Sequence, residues 1–293
     1  MTRVANPAIL LPLKALWLAL RRFVTKNGFV MSSHVAMSMM LALFPFMLFT
    51  VALAGSLSQD YVTDELIDLI LGAWPSEVAD PIVAELRAVL AGDKSGVITL
   101  SGLLAVWFAS NGVNAVRMAL TQAYHDEDTR PFWKSRLLCI ALVIGGGAAL
   151  LAAAAFEVVL PVYTRLVTDT LPIPGTGEAV EWLSVDRLSW IFAVAMPAGM
   201  VLAFHALLPG HRHSLIQILP GVVLTLALWA AGGWGFSIYV GQFATYSATY
   251  AGLAGAMAAL IFLYLCAVIL ILGAEFNGAL IDLKPVPTDD TSS

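Results

Sequence analysis

The side chains able to do chemistry in this sequence are few, and most stand inside apolar runs. There are five histidines: His34 and His205 lie within hydrophobic stretches, while His125, His211 and His213 lie in polar links. Metal-assisted hydrolysis of a phosphodiester needs several His and Asp side chains converging on one or two ions. Only His211-Arg212-His213 is a tight pair; it has no carboxylate near it in sequence and reads as a polar turn at the headgroups. Asp126-Glu127-Asp128 follows His125 directly and reads as a solvated turn before Arg130. No glycine-rich phosphate loop, GxSxG elbow or HExxH helix occurs. No catalytic, cofactor-binding or metal-binding residue is assigned, and the expectation is a protein that is not an enzyme, uses no cofactor and binds no nucleic acid.

What remains is a set of polar groups embedded in hydrocarbon-like sequence: His34, Ser38, Asn111, Asn114, Arg117, His205, Glu275 and Asn277. A transport path needs polar groups facing a bundle interior at several depths, because a solute must exchange water for protein contacts. Asn111, Asn114 and Arg117 follow one another at intervals of three and can share one helical face. Glu275 has two readings. It is an ion pair pinning two helices at the headgroup boundary, or a carboxylate linked to a proton or cation. In either case a carboxylate close to hydrocarbon needs a partner, and Arg117 is the first candidate, with Arg21 and Arg22 as alternatives. Pro45, Pro197 and Pro220 fall inside three of the apolar runs and are expected to kink them.

The elements holding these residues follow from composition. The chain has 293 residues, 59% hydrophobic and 12% charged, with a mean hydropathy of +0.85. That lies far outside the soluble globular range and predicts an integral membrane protein, all-α and polytopic. The last run, Tyr250 to Asp282, stays uncharged for over 20 residues until Glu275, enough for a helix to cross a hydrocarbon core about 30 Å thick. Gly252, Gly255, Ala256 and Ala259 along it permit close helix contact, so this helix is expected to be central. Six spans are predicted, at about 30–57, 97–120, 137–163, 188–208, 215–240 and 250–274, forming a domain over 29–283. Residues 1–28 form an amphipathic N-terminal segment, with Leu13, Leu16, Trp17, Leu20 and Phe23 beside Lys14, Arg21, Arg22 and Lys26. It either lies on an anionic leaflet or docks on the bundle. No cleavable signal peptide is evident.

Between the first two spans, Ser58 to Ser95 reads as two short amphipathic helices broken at Trp74-Pro75. Thr164 to Arg187 reads as loop, with Glu157 near the outer end of the third span, and 284–293 reads as a disordered tail. Gly145-Gly146-Gly147 and the alanine run 152–155 allow the third span to pack closely on a neighbour. That packing is assigned within one subunit, so a monomer is expected, with oligomeric state left open. Cys139 and Cys266 read as buried reduced thiols.

Six spans put both termini on one side. With that side cytoplasmic, 11 of the 15 basic residues are inside, and only Arg87, Lys94, Arg165 and Arg187 are outside. Twelve of the 20 acids then form an outer cap, which attracts cations and disfavours an anion importer.

The patterns HVAMSMMLALFP (34 to 45), RPFWKSR (130 to 136), LPG…LPGVV…W (208 to 229) and YAGLAG…LYL…ILGAEFN (250 to 277) resemble the YihY/BrkB family of bacterial inner-membrane proteins, in order over nearly the whole chain. Family members often carry an aromatic pair where this chain reads Met37 and Ser38. The resemblance implies a six-helix inner-membrane fold with cytoplasmic termini. Members have been labelled ribonuclease BN or virulence factor, and transport is the usual inference. The expected function is therefore a carrier of a small solute or lipid-like molecule in the bilayer, with a non-transporting envelope-assembly protein as the alternative.

Overall fold

The computed structural model describes residues 7–57, 94–149, 185–243 and 253–283. Among them the regular structure is helical, with no strand. The helices are α1 (Pro7–Thr25), α2 (Gly28–Leu57), α3 (Lys94–Ala123), α4 (Phe132–Ala149), α5 (Val185–Leu207), α6 (Leu215–Phe243) and α7 (Leu253–Leu283). The segments 58–93, 150–184, 244–252 and 284–293 lie outside the described residues. With them go the paired amphipathic helices, Glu157, most of the 164–187 linker, Gly252 and the tail.

Among the described residues four stretches are long and apolar enough to cross a membrane: Ile98–Ala123, Phe132–Ala149, Leu215–Tyr239 and Ala256–Leu283. Shorter apolar stretches lie within α2, at Gly28–Leu43, and within α5, at Val194–Leu207. Pro45, Pro197 and Pro220 each lie inside an unbroken helix, as does Pro12 of α1. A proline costs its helix one backbone bond, and the surrounding turns evidently carry the chain through.

The last helix is central. α7 packs on α1, α2, α3 and α6, and its lower half, from Ala267 to Ala279, supplies much of the core. Around it gather Val35 of α2, Val116 and Leu120 of α3, Val201 of α5 and Leu208 just after it, and Ile218 and Val222 of α6. The closest helix crossing is between α6 and α7. A Cβ placed on Gly221 would collide with the Gly273 carbonyl oxygen, and one on Gly273 with Thr225 Oγ1. Lipid is as apolar as a leucine side chain, so association here rests on backbones meeting where side chains are missing. Gly278 approaches the Ala123 carbonyl of α3 in the same way.

The sequence allows such a contact at Gly145, Gly146 and Gly147, and the described residues do not make it. Among the described residues nothing lies within 4 Å of a Cβ at any of the three. α4 is held by its first turns instead, through Ser135, Leu138, Cys139 and Leu142, and the glycines lie beyond that contact. α4 also starts earlier than the predicted Leu137, because the Pro131 carbonyl accepts from the N–H groups of Lys134 and Ser135 at 2.9 and 3.3 Å. The basic stretch RPFWKSR is thus the first turn of a helix.

α1 docks on α7 through alanines. Ala15 and Ala19 are fully buried against Ala279, ringed by Leu18, Phe276 and Leu280. Leu13, Trp17, Leu20 and Val24 face outward on the opposite side, with the Arg21 guanidinium 5.6 Å over the Trp17 ring. The helix ends at Asn27, whose φ of 58° is the left-handed cap that asparagine tolerates. α3 ends likewise at His125, φ 59°.

Candidate functional site

The polar residues singled out in the sequence do not converge on one site. His205 of α5 and Asn277 of α7 meet at the centre, and both are fully buried. A residue passed over in the sequence joins them. The Tyr124 hydroxyl at the end of α3 donates to His205 Nδ1 at 2.7 Å and accepts from Asn277 Nδ2 at 2.8 Å. Asn277 also grips α6 on both sides of Pro220: its Nδ2 donates to the Ile218 carbonyl at 2.8 Å, and its Oδ1 accepts from the Gly221 N–H at 2.6 Å. Both amide hydrogens of Asn277 are therefore spent, and the Tyr124 proton is assigned to the one acceptor nitrogen beside it, His205 Nδ1. That leaves the histidine's own ring proton on Nε2. This buried N–H has no partner among the described residues. Burial drives the Tyr124 phenol well above its usual pKa, against a smaller downward pull from the Asn277 hydrogen bond, so the hydroxyl stays protonated.

A cavity of about 320 Å³ lies among α2, α5, α6 and α7. Its lining includes Met39, Phe204, Trp229, Phe262, Cys266 and Leu270. The Trp229 indole N–H is already used, donating to the Cys266 carbonyl at 3.0 Å, which leaves the wall apolar.

Glu275 sits on another face of α7, only 2% exposed. Its partner is Lys26, in the turn between α1 and α2, with Nζ 3.7 Å from Oε1. The sequence expectation of Arg117 is corrected: its guanidinium is taken by Asp128, with which it makes a short contact, and by Asn114 Oδ1 at 3.1 Å. Lys26 Nζ also donates to His125 Nε2, whose Nδ1 faces Asp282 Oδ2 at 3.8 Å, and Arg22 closes on Asp282 at 2.8 Å. Burial lowers the Lys26 pKa, partly opposed by the charge of Glu275. Burial, reinforced by the Lys26 and Arg22 charges, lowers that of His125. At neutral pH His125 is thus a neutral acceptor for the ammonium.

Asn111, Asn114 and Arg117 share a face as expected, but it turns toward α4 and the link before it. The Arg136 guanidinium donates to Asn111 Oδ1 at 2.6 Å and lies 4.0 Å over the Trp107 ring. His34 is exposed and Ser38 half-buried, neither beside the central network.

The 126–128 turn is not solvated as the sequence implied. The side chains of Asp126 and Asp128 are 9% and 13% exposed. Asp126 Oδ2 accepts from the His211 backbone N–H at 3.2 Å and faces His213 Nε2 at 3.0 Å, so the His211/His213 turn has its carboxylate after all, supplied by a different link. The His213 ring stacks on Tyr124 at 4.5 Å. Arg130 donates to the carbonyls of Leu207, Leu208 and Pro209, capping α5. Burial alone would raise the Asp128 pKa, but the Arg130 hydrogen bonds and the charges of Arg130 and Arg117 outweigh it and hold the carboxyl below its usual range. Among the described residues no three His, Cys, Asp or Glu side chains gather as metal ligands would.

Residues 19–291 match the model of the family described as virulence factor BrkB. The chain belongs to the virulence factor BrkB family. Among its relatives, a ribonuclease-like protein, YfkH, of Bacillus subtilis is 30% identical over 270 residues, covering 92% of this chain and 96% of that protein. A UPF0761 membrane protein of Stenotrophomonas maltophilia is 25% identical over 273 residues, of which this chain spans 61% of the length. One of Xanthomonas campestris is 26% identical over 264 residues, with 59% of its length spanned. No solved structure matches the chain. This BrkB-family chain is thus a helical membrane protein.

Proposed function

We propose that this protein is a bacterial inner-membrane carrier of a small solute or lipid-like molecule, with six spans and both termini in the cytoplasm. The observation that carries the reading is the polar network at the heart of an apolar bundle. Tyr124, His205 and Asn277 come from three helices and leave one buried donor, His205 Nε2, unanswered among the described residues. Polar groups at membrane depth are costly and are retained where they serve a substrate or ion. The apolar cavity among α2, α5, α6 and α7 would suit the hydrocarbon part of an amphiphile.

A second reading, a non-transporting protein of envelope assembly, draws on α4. Its run through Gly145, Gly146 and Gly147 has open space beside it among the described residues, room that another membrane helix could fill.

A flux screen in proteoliposomes, across cations, organic solutes and lipids, separates the two. The carrier reading expects flux of one class; folded protein that moves none of them favours assembly. The ribonuclease-like name belongs to the Bacillus relative.

A further inference from the structure

We propose that Glu275 is a proton-binding site with Lys26 as its internal counter-ion, so that the bundle exchanges a proton against the ammonium of its own chain. The use made of that proton rests on the carrier reading above; the site itself does not.

The arginine ion pairs among the described residues are closed and hydrogen-bonded. Arg22 meets Asp282 at 2.8 Å, and Asp128 is held by Arg117 and by Arg130 Nε at 2.9 Å. Glu275 differs from all of them. Its Oε1 stands 3.7 Å from Lys26 Nζ, beyond hydrogen-bond length, and its Oε2 has no partner among the described residues although the side chain is 3% exposed. A carboxylate kept only to pin helices would be expected to satisfy its oxygens, since a half-paired buried charge destabilises.

Lys26 is equally uncommitted, because it has a second partner in His125. The ammonium can therefore lean toward Glu275 when that group is charged and toward His125 and Asp282 when it is not. The lysine and histidine side chains are 26% and 35% exposed, giving the pair a route to water that Glu275 lacks alone. The step balances simply: the carboxylate takes a proton from hydronium, giving a carboxylic acid and water, and Lys26 keeps its charge. The other charges that reach the site, Arg22 and Asp282, are opposite in sign and paired with each other, and those further off are engaged elsewhere. Arg22 is engaged by Asp282, Arg117 by Asp128, and Asp126 faces His213. α6 contains no charged residue, and the only titratable side chain of α2, His34, is exposed.

The test is infrared difference spectroscopy on the full chain in lipid nanodiscs, titrated between about pH 5 and about pH 8, the window in which histidine also changes charge. The wild type should show the carbonyl band of a buried carboxylic acid growing in as pH falls, and Glu275→Gln should lack it. Lys26→Met should bring the band in at a pH higher by about 1 or more, and Lys26→Arg should restore the wild-type midpoint. A wild type without the band, a band that survives Glu275→Gln, or a Lys26→Met midpoint equal to wild type would overturn the proposal. Because the band is read without flux, its absence leaves the carrier reading standing. Flux that ignores both an imposed pH gradient and Glu275→Gln would remove the coupling alone.

Discussion

Every carboxylate in the described core has a cation or a histidine near it, and which one it has decides how the residue behaves. Lys26, not Arg117, faces Glu275. In a thermal-stability cycle, Glu275→Gln with Lys26→Met should therefore be non-additive, with a coupling of about 0.5–3 kcal/mol, whereas Glu275→Gln with Arg117→Gln should be additive. Coupling to Arg117 instead would reassign the pair. His125 gives a pH dependence. Its folded pKa is depressed, so its neutral form stabilises the fold above the unfolded value of about 6.5, and that contribution is lost as pH falls through the folded value. His125→Gln, which keeps an acceptor for Lys26, should lose less melting temperature than wild type on acidification from about pH 7 to about pH 5; parallel curves would show that His125 does not titrate in this linkage. Polar residues such as Glu275 and Asn277 were legible in the sequence because they interrupt an apolar run. Their partners were not, since depth along a helix axis is one coordinate and leaves helix adjacency undetermined. Tyr124 was missed because a tyrosine at a helix end is ordinary until His205 and Asn277 are seen beside it.

Helices were legible where hydropathy is continuous, and their ends were less so. α7 runs on through Glu275, Asn277 and Asp282 to Leu283, because partners on neighbouring elements satisfy those polar groups. Glycine was a weaker guide: a GGG run announces the ability to pack but not the presence of a neighbour. The links were misread for a related reason. Asp126 was judged against its neighbours in the chain, and its histidines come from the link after α5. Gly221→Ala or Gly273→Ala should each destabilise by about 1–3 kcal/mol by forcing α6 from α7, while Gly146→Ala should leave melting unchanged. Equal sensitivity at Gly146 would mean that α4 has a partner on that face.

For the whole molecule, hydrophobic content and the central last helix were readable at once, because the bilayer leaves only a few backbone solutions. Orientation rests on the 11-to-four basic asymmetry. Reporter fusions at Asn6 and Thr288 should report cytoplasm, and one at Gly92 the opposite side; a cytoplasmic signal at Gly92 would remove the six-span arrangement. What such a bundle moves is set by its interior, so the most direct measurement compares proteoliposome flux of the wild type with that of Asn277→Leu, both checked for folding. The wild type should carry at least one of the cation, organic-solute or lipid probes, and the variant, with the Tyr124–His205–Asn277 network broken, should carry none. Equal flux from both, or no flux from folded wild type with any probe, would contradict a carrier built around that network.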